Sequence, residues 1–560
     1  MWGDVTRTAG SLLSIPASLA VGVARAAIDA PCVLEVPITP QEDARARLVL
    51  LRRLERAASD PLVSAVLLDI AGVPGRFAAC DDLRQVITKL RASGKPVYAS
   101  FESAGNATMW IASACDVVFL VPTGELMWIG LCSEMAFFGD LLDRVGIEPD
   151  FVAAGTYKSF GEPFLRKFAS PANQESSRAL LSDLQDQMVR GVAAGRGLTV
   201  EVVRDLLDRG PLSADQALDS KLVDRLAYHD EVKAFVAEKH PKAKVVEFAH
   251  WSRKDAASEW AGGLSHYARS VTVLQLDGAI VSGEDGPGTR IRSKQTCKAL
   301  DELYEDKDVS AVVLHVDSPG GSALASDVIW REVDRLARTR PVVACFEDVA
   351  ASGGFYLSAP AAKIFARPST ITGSIGVFGG KLVVGEALRR VGVNTQLLPV
   401  AANADMYAAS RRWTDAQRDL YKGTLQRFYD GFVERVAAGR KRPVSELEPH
   451  CRGRVWTGKQ AQALGLIDEL GGLAEAVAAA GGLAHLKPGT FDVRYTSVQP
   501  NRSVFARMLQ NALRRMSPVD VRMSRLLTAL DGFGGDAADV VLAHPNEPLA
   551  LLPYTVSALR

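Results

Sequence analysis

The second half of this chain repeats the first, and that repeat limits the possible folds more than any other feature. The run VSAVLL beginning at Val63 returns as VSAVVL at Val309, 246 positions later. The same offset joins Gly130 to Gly376. Each copy is long enough to bury a core of its own, so the 560 residues predict two related domains rather than one.

The repeat divides the chain into five predicted regions. These are a leader or possible membrane-associated segment (1–30), a first repeat (31–248), a linker (249–264), a second repeat (265–487) and a C-terminal extension (488–560). The linker is polar and contains glycine. The extension matches nothing in the first copy by sequence.

Within each copy, apolar runs of strand length alternate with stretches of helical periodicity. The predicted elements are strands at 32–36, 63–70 and 96–99 with helices at 44–57 and 81–92 in the first copy, and strands at 271–276, 311–316 and 341–346 with helices at 296–305 and 322–338 in the second. Nearly continuous apolar strands are typical of parallel sheets buried on both faces. The pattern predicts an α/β fold in which each repeat has a mainly parallel sheet flanked by helices.

Composition excludes several classes of function. Sixty-five basic residues balance sixty-five acidic ones, so no global charge points to nucleic acid. The seven cysteines are scattered and never spaced CxxC, and the eight histidines form no HExxH motif. We therefore predict no metal site, no disulfide framework and no cofactor.

Both ends of the chain leave membrane association open. Residues 9–24 are apolar but contain Pro16, and they fall short of the roughly 20 residues that span a bilayer. They resemble a weak signal sequence or anchor, and a loosely ordered amphipathic leader is the alternative. Residues 504–527 have the pattern of an amphipathic helix that packs on a neighbour.

The second copy carries two small-residue turns that could support chemistry. Gly320 and Gly321 follow a predicted buried strand, where they could present backbone N–H groups to an oxyanion, although a plain tight turn explains them equally well. Ser352 precedes Gly353, which could offer another N–H close to the serine hydroxyl. Taken alone, such a serine is more often a helix cap than a nucleophile.

A serine nucleophile needs a base, and the first copy offers Lys158 in an aromatic-rich segment. Burial in a dry pocket would lower the pKa of a lysine enough for it to serve as a base, whereas most lysines are simply solvated. The first copy has Asn106 where the second has Ser352, and the second has Ala404 where the first has Lys158. This complementarity predicts a single composite site.

The combined motifs resemble the signal peptide peptidase A family in its long, tandem-repeat form, a family of Ser/Lys serine peptidases with the ClpP/crotonase-like fold. Segments 317–321 (DSPGG), 351–356 (ASGGFY) and 372–377 (TGSIGV) match its nucleophile-bearing half. Segments 155–159 (GTYKS) and 162–164 (EPF) match its base-bearing half. The resemblance extends over most of the two repeats.

This resemblance implies a role for each site residue. Ser352 would be the nucleophile, Lys158 the general base and Ser374 the residue that orients the lysine. The oxyanion hole would be formed by backbone N–H groups of the glycines named above, namely Gly320 or Gly321 together with Gly353. The reaction would be hydrolysis of a peptide through an acyl-enzyme.

The resemblance also implies the partners and the location. Substrates would be apolar peptides such as cleaved signal peptides, and the enzyme would form a homo-oligomer, a tetramer in this family. It would lie at the bacterial inner membrane, although relatives carry a clearer N-terminal anchor than this leader. The alternatives are a crotonase-like acyl-CoA hydratase or isomerase, which would not need Ser352, and a non-catalytic membrane-associated scaffold of the same fold.

Overall fold

The structure is a computed structural model that describes residues 31–40, 44–252, 267–283, 290–498 and 549–551. The predicted leader and the predicted helix at 504–527 lie outside the described residues. Within the described ranges, no helix combines the length and apolarity needed to cross a membrane.

The strands are short and buried for the most part. In chain order they are β1 (Cys32–Ile38), β2 (Val63–Ile70), β3 (Val97–Phe101), β4 (Ala104–Gly105), β5 (Val117–Leu120), β6 (Glu125–Met127), β7 (Glu148–Ala154), β8 (Leu212–Ser213), β9 (Arg225–Leu226), β10 (Lys244–Glu247), β11 (Ser270–Asp277), β12 (Ala279–Val281), β13 (Arg290–Arg292), β14 (Val309–Ser318), β15 (Gly320–Ser322), β16 (Val342–Ala351), β17 (Lys363–Ala366), β18 (Ile371–Gly373), β19 (Val377–Val383), β20 (Val455–Thr457), β21 (Glu469–Leu470), β22 (Asp492–Ser497) and β23 (Leu549–Leu551).

Helices separate most of these strands. They are α1 (Ala44–Ser59), α2 (Phe77–Ala92), α3 (Asn106–Ala112), α4 (Gly139–Val145), α5 (Glu162–Leu165), α6 (Pro171–Arg196), α7 (Val200–Arg209), α8 (Ala214–Asp219), α9 (His229–Lys239), α10 (Ser293–Glu305), α11 (Ala323–Ala337), α12 (Gly353–Ser358), α13 (Gly385–Arg390), α14 (Asp415–Gly439), α15 (Val444–Leu447), α16 (Gly458–Ala463) and α17 (Leu473–Leu483), with a 3₁₀ turn at Glu448–His450.

The chain forms two compact units, and their boundaries differ from the repeat boundaries in the sequence. Of the described residues, the first unit contains those up to Gly130 and from Met188 to Ser252, and the second contains those from Leu131 to Gln187 and from Tyr267 onwards. The middle of the first repeat thus belongs to the second unit. The reason is strand pairing, because β7 of the first repeat joins β19 of the second in an antiparallel ladder from Ala154 opposite Val377 to Glu148 opposite Val383.

Each unit contains a mainly parallel sheet, and the two sheets have the same strand order. In the first unit the order is β10-β1-β2-β3-β5-β9, and all of these pairs are parallel. In the second, β22-β11-β14-β16-β17-β21 repeats that path with parallel pairs throughout. The predicted α/β fold is confirmed. The extension also has a counterpart that the sequence did not reveal, because β22 occupies the place that β10 occupies in the first unit.

Helices cover the sheets with apolar side chains. In the first unit, Val232 and Val236 of α9 pack on strand residues such as Val33 and Leu67. In the second, α17 covers the equivalent face, where Ala476 packs against β11, β14 and β16. Burying each aliphatic side chain stabilises the fold by about 1.5–3 kcal/mol, so the alternating helices hold the carboxyl ends of the strands in fixed positions.

The predicted linker contains a buried residue close to its start: Ala249 and His250 are exposed, but Trp251 is buried. Trp251 is 5% exposed, and its indole N–H donates to Asp60 Oδ2 at 3.1 Å. At least the start of the 249–264 segment therefore packs within the first unit. The remainder lies outside the described residues.

Candidate active site

Ser352 lies directly after β16, at the N-cap of α12. Its φ of 54° and ψ of −111° are unusual for a residue with a side chain, and its N–H donates to the Gly373 carbonyl at 2.8 Å. The hydroxyl does not cap the helix, which removes the structural explanation for this serine. A strained backbone that is held in place at a strand-to-helix turn is typical of functional sites.

Ser374 is brought beside Ser352 by the register of two parallel strands. In that register Ala351 of β16 lies opposite Gly373 of β18, so the residue after each strand is a serine at the same edge of the sheet. Ser374 also has a positive φ, 51°, and like Ser352 it is fully buried. A separation of 22 residues in sequence becomes direct adjacency in space.

Lys158 reaches both serines from the turn that follows β7. Its Nζ lies 2.8 Å from Ser352 Oγ, 2.9 Å from Ser374 Oγ and 3.1 Å from the Ser374 carbonyl oxygen. The side chain is 4% exposed, so it is not the solvated lysine that chance would favour. The structure therefore places the predicted nucleophile, base and orienting residue together within one chain, although the base and the nucleophile are 194 positions apart.

Burial lowers the pKa of Lys158 well below its ordinary value of 10.5, because desolvation penalises the ammonium form. A neutral amine has two N–H donors and one lone pair. The two oxygens of Ser374 can take both donors, which leaves the lone pair directed at the Ser352 hydroxyl. This geometry suits the removal of a proton from Ser352.

The strand before the Lys158 turn, β7, is anchored within the second unit by a buried carboxylate. Asp150 of β7 is fully buried, and it accepts a hydrogen bond from the Trp413 N–H at 2.8 Å. The same carboxylate is paired with Arg418 of α14. Breaking a buried pair of this kind costs several kcal/mol, so β7 has a strong anchor four residues before its end.

The predicted oxyanion residues also lie beside Ser352. Gly320 has a φ of 100°, and its N–H donates to Ser318 Oγ at 3.2 Å. A β-carbon added to Gly353 would lie 3.3 Å from the Gly320 Cα, so the two glycine turns touch each other. Gly321 is held in β15, opposite Ile280 of β12. The structure thus brings all three glycines to the edge of the sheet where Ser352 lies.

The equivalent place in the first unit is filled by structural contacts. Asn106, at the position equivalent to Ser352, accepts hydrogen bonds from the N–H groups of Ile129 and Gly130 and donates to the Gly130 carbonyl. Trp128, at the position equivalent to Ser374, is fully buried. An amide and an indole in these places supply neither a nucleophile nor room for a lysine amine.

Sequence reasoning missed one part of the site, the turn at residues 451–454 before β20. Gly453 packs directly on Lys158, and the Arg454 carbonyl accepts the Ser374 N–H at 2.7 Å. These residues come almost 300 positions after Lys158, and no motif marks them. In the part of the chain that the structure describes, His, Cys, Asp and Glu form no group that could hold a metal ion.

A buried lysine amine beside a serine with an unusual backbone conformation is one arrangement that can activate the serine of a peptidase. A model of peptidase family S49 matches residues 89–244 and 334–487, one segment in each repeat. Together these segments are more than half of the chain. The chain therefore belongs to peptidase family S49.

Curated relatives agree with this family, since they are named as proteases. It is 32% identical to "Serine protease SPPA, chloroplastic" of Arabidopsis thaliana, over 76% of this chain and 64% of that protein. It is 31% identical to "Protease 4" of Salmonella typhi, over 79% of this chain and 73% of the relative. A shorter match, 34% identical over 36% of this chain and 60% of the relative, is with "Putative signal peptide peptidase SppA" of Enterococcus faecium. The chain thus spans just under two thirds of the plant relative's length.

Proposed function

We propose that the protein is a serine endopeptidase in which Ser352 is the nucleophile and Lys158 the general base. The observation that carries this proposal is the 2.8 Å separation of Lys158 Nζ and Ser352 Oγ in a buried site. A serine hydroxyl is a poor nucleophile unless a nearby base takes its proton. Burial favours the neutral form of that base by lowering the pKa of Lys158.

The reaction proceeds in two halves. As Ser352 Oγ bonds to the peptide carbonyl carbon, its proton passes to the Lys158 amine, and the carbonyl oxygen becomes an oxyanion. The Lys158 ammonium then returns that proton to the leaving nitrogen as the C–N bond breaks, which leaves an ester on Ser352. In the second half, Lys158 takes a proton from water, and the resulting hydroxide attacks the ester carbonyl carbon. The C–O bond to Ser352 then breaks, the proton returns from Lys158 to Ser352 Oγ, and the carboxylic acid product leaves.

Two further elements support this chemistry. Ser374 offers two oxygens to Lys158, which restrict rotation of the amine and direct its lone pair at Ser352. We propose that backbone N–H groups of Gly353 and of Gly320 or Gly321 bind the oxyanion, and the close approach of the two glycine turns supports this assignment. One such donor commonly contributes about 10²–10³ in rate.

We propose that the substrate binds as an extended strand between β15 and β19. In the structure this place holds β23, whose residues Leu549, Ala550 and Leu551 run antiparallel to β15. Leu549 also lies opposite Phe378 of β19. A backbone that offers pairing on two sides suits an extended peptide, since main-chain hydrogen bonds provide affinity without requiring particular side chains.

Cleaved signal peptides fit this description, being short, apolar and free of tertiary structure. The name of the Enterococcus faecium relative supports the same substrate class. The hydratase alternative usually places acidic residues over the thioester, whereas the Lys158 amine contacts only serine oxygens among the described residues. We further propose association with a membrane surface and a homo-oligomeric state, which would deliver apolar substrates to several sites at once.

The proposed function is tested by labelling Ser352 with a fluorophosphonate probe and measuring hydrolysis of a Leu-rich chromogenic peptide. We expect stoichiometric labelling, with the probe found on the tryptic peptide that contains Ser352, and peptide cleavage that stops once labelling is complete. Labelling at another serine, or cleavage that persists in fully labelled protein, would contradict the assignment.

Removing residues 548–560 is expected to lower the KM for the peptide by about tenfold and to leave kcat unchanged, because β23 competes for the substrate's place. The matched control deletes only residues 554–560 and so keeps β23. Steady-state kinetics of both truncated proteins provide the measurement. Equal KM values for the two truncations would exclude competition by this segment.

A further inference from the structure

The turn at residues 451–454, which we name the base-seat turn, contacts both Lys158 and its partner Ser374. Its Arg452 carbonyl accepts a hydrogen bond from the Tyr157 N–H at 2.8 Å, directly before Lys158. Its Arg454 carbonyl accepts the Ser374 N–H at 2.7 Å. Between them, the Gly453 N–H donates to the Ile375 carbonyl at 2.7 Å. One short turn therefore holds the backbones of both segments that present the base.

Gly453 is the point of closest approach. A β-carbon there would lie 2.6 Å from the Lys158 nitrogen, 2.7 Å from its Cβ and 2.8 Å from its Cα. These distances are well inside van der Waals contact, and two of the three atoms are backbone, so rotation of the lysine side chain alone cannot relieve the clash. The φ of Gly453 is 79°, which independently favours glycine.

Two further glycines, Gly155 and Gly376, contact the base-seat turn and leave room for its backbone. A β-carbon on Gly155 would lie 2.6 Å from the Arg452 carbonyl carbon, and one on Gly376 would lie 2.9 Å from the Gly453 Cα. Glycines thus line the contact between the Lys158 turn, the segment after Ser374 and the base-seat turn. Close backbone approach of this kind leaves little slack in the position of Lys158.

Several side-chain contacts connect the base-seat turn to its surroundings. Arg452, whose φ of 48° is itself unusual, pairs with the Glu448 carboxylate at 2.8 Å, and its N–H donates to the Tyr429 hydroxyl at 3.2 Å. Arg454 pairs with Glu175 at 2.7 Å, and its guanidinium lies over the Tyr157 ring at 4.9 Å. A β-carbon at 453 would therefore displace Lys158 more readily than it would displace the turn.

We propose that Gly453 is a positioning residue for Lys158: its missing side chain makes room for the lysine backbone and so sets the distance between the amine and Ser352. The inference rests on the proposed function of Lys158 as the base. Gly453 would thus affect the reaction from near the end of the second repeat, whereas Lys158, Ser352 and Ser374 all come earlier in the chain.

The test is Gly453→Ala, with Gly392→Ala as the matched control. Gly392 has a similar φ of 82° but has no atom within 4 Å of the position of an added β-carbon, so it bears the same backbone penalty without the clash. We expect Gly453→Ala to lower kcat by about 100-fold or more with KM within threefold, since a misplacement of about 1 Å costs that much. The control should keep the wild-type kcat. A kcat for Gly453→Ala within threefold of the control would overturn the proposal.

A pH series separates displacement of the base from loss of folding. If Lys158 moves to a less desolvated position, its pKa rises towards 10.5, so the rise of the Ser352 labelling rate with pH should occur at a higher pH in Gly453→Ala than in the wild-type protein. A pH profile with the same midpoint in both proteins would contradict displacement. Failure of the proposed function would look different, because the wild-type protein itself would then not be labelled at Ser352.

If Gly453→Ala does not fold, Glu448→Gln provides a milder variant. It loosens Arg452 without touching Lys158, and we expect a kcat loss of about three- to tenfold with an unchanged KM. A kcat equal to that of the wild-type protein would overturn the role of the turn. Thermal denaturation monitored by circular dichroism establishes that each variant is folded before its kinetics are compared.

Discussion

Replacing Ser352 by alanine is expected to lower kcat/KM for peptide hydrolysis by about 10⁴-fold or more and to abolish labelling by fluorophosphonates. The covalent route is lost together with the hydroxyl, because no other oxygen is held at 2.8 Å from the Lys158 amine in the place of Ser352 Oγ. The fold should survive, since the Ser352 side chain does not cap α12. Steady-state kinetics and intact-protein mass spectrometry provide the measurements.

The matched control is Ser358→Ala, on the same helix. Ser358 is also fully buried, and its hydroxyl donates to the Gly354 carbonyl at 2.9 Å, but it takes no part in the proposed chemistry. We expect it to keep kcat while losing some thermal stability. Full activity in Ser352→Ala would show that another residue attacks the substrate, and equal losses in both variants would indicate a structural effect.

Replacing Lys158 by methionine is expected to have opposite effects on activity and on stability. Loss of the base should lower kcat/KM by about 10³-fold or more. The melting temperature should rise by about 2 °C or more near neutral pH, because methionine fills a similar volume without the cost of desolvating an amine. Kinetics and differential scanning calorimetry on the same preparations provide the two measurements.

The gain in stability should depend on pH in a defined direction. The folded-state pKa of Lys158 lies below its ordinary value of 10.5, so between these two values the unfolded chain binds a proton that the folded chain does not. Lys158 therefore destabilises the fold at neutral pH, and this cost shrinks as the pH rises towards 10.5. The difference in melting temperature between Lys158→Met and the wild-type protein should be larger at pH 7 than at pH 10.

Activity should follow the same titration. Only the neutral amine accepts the Ser352 proton, so wild-type kcat/KM should rise as the pH rises through the lowered pKa of Lys158. Lys298→Met serves as the control, because the side chain of Lys298 is 79% exposed and should affect neither activity nor the pH dependence of stability. If the difference in melting temperature did not vary with pH, the amine of Lys158 would not be desolvated in the folded protein.

Local elements were predictable where apolar periodicity was clear. The strand predicted at 63–70 coincides with β2, since each of its ends is marked by a change to polar or turn residues. The helix predicted at 81–92 begins earlier, at Phe77, because its first turn is apolar and buried against the core. The pattern of polar residues alone could not place that turn.

The strand that leads to Ser352 was predicted too short. The apolar run ends at Phe346, where the acidic pair Glu347 and Asp348 follows, so periodicity predicted an end there. The strand in fact continues to Ala351, since its last residues pair with β18. Both acidic residues are buried despite their charge. The pairing with β18, a tertiary contact, therefore determines where β16 ends and Ser352 begins the next turn.

By itself, the sequence determined that the chain contains two copies of one α/β unit and that each copy lacks a chemical group that the other has kept. Hydrophobic periodicity is a local pattern, and the offset of 246 positions comes from comparing one half of the sequence with the other. Both can therefore be recognised without a structure. Only the tertiary structure decided how the groups meet. The pairing of β7 with β19 carries Lys158 to Ser352, and the approach of Gly453 sets the lysine's position. Contacts between segments hundreds of residues apart depend on backbone register and close packing, which leave no periodic pattern in the sequence.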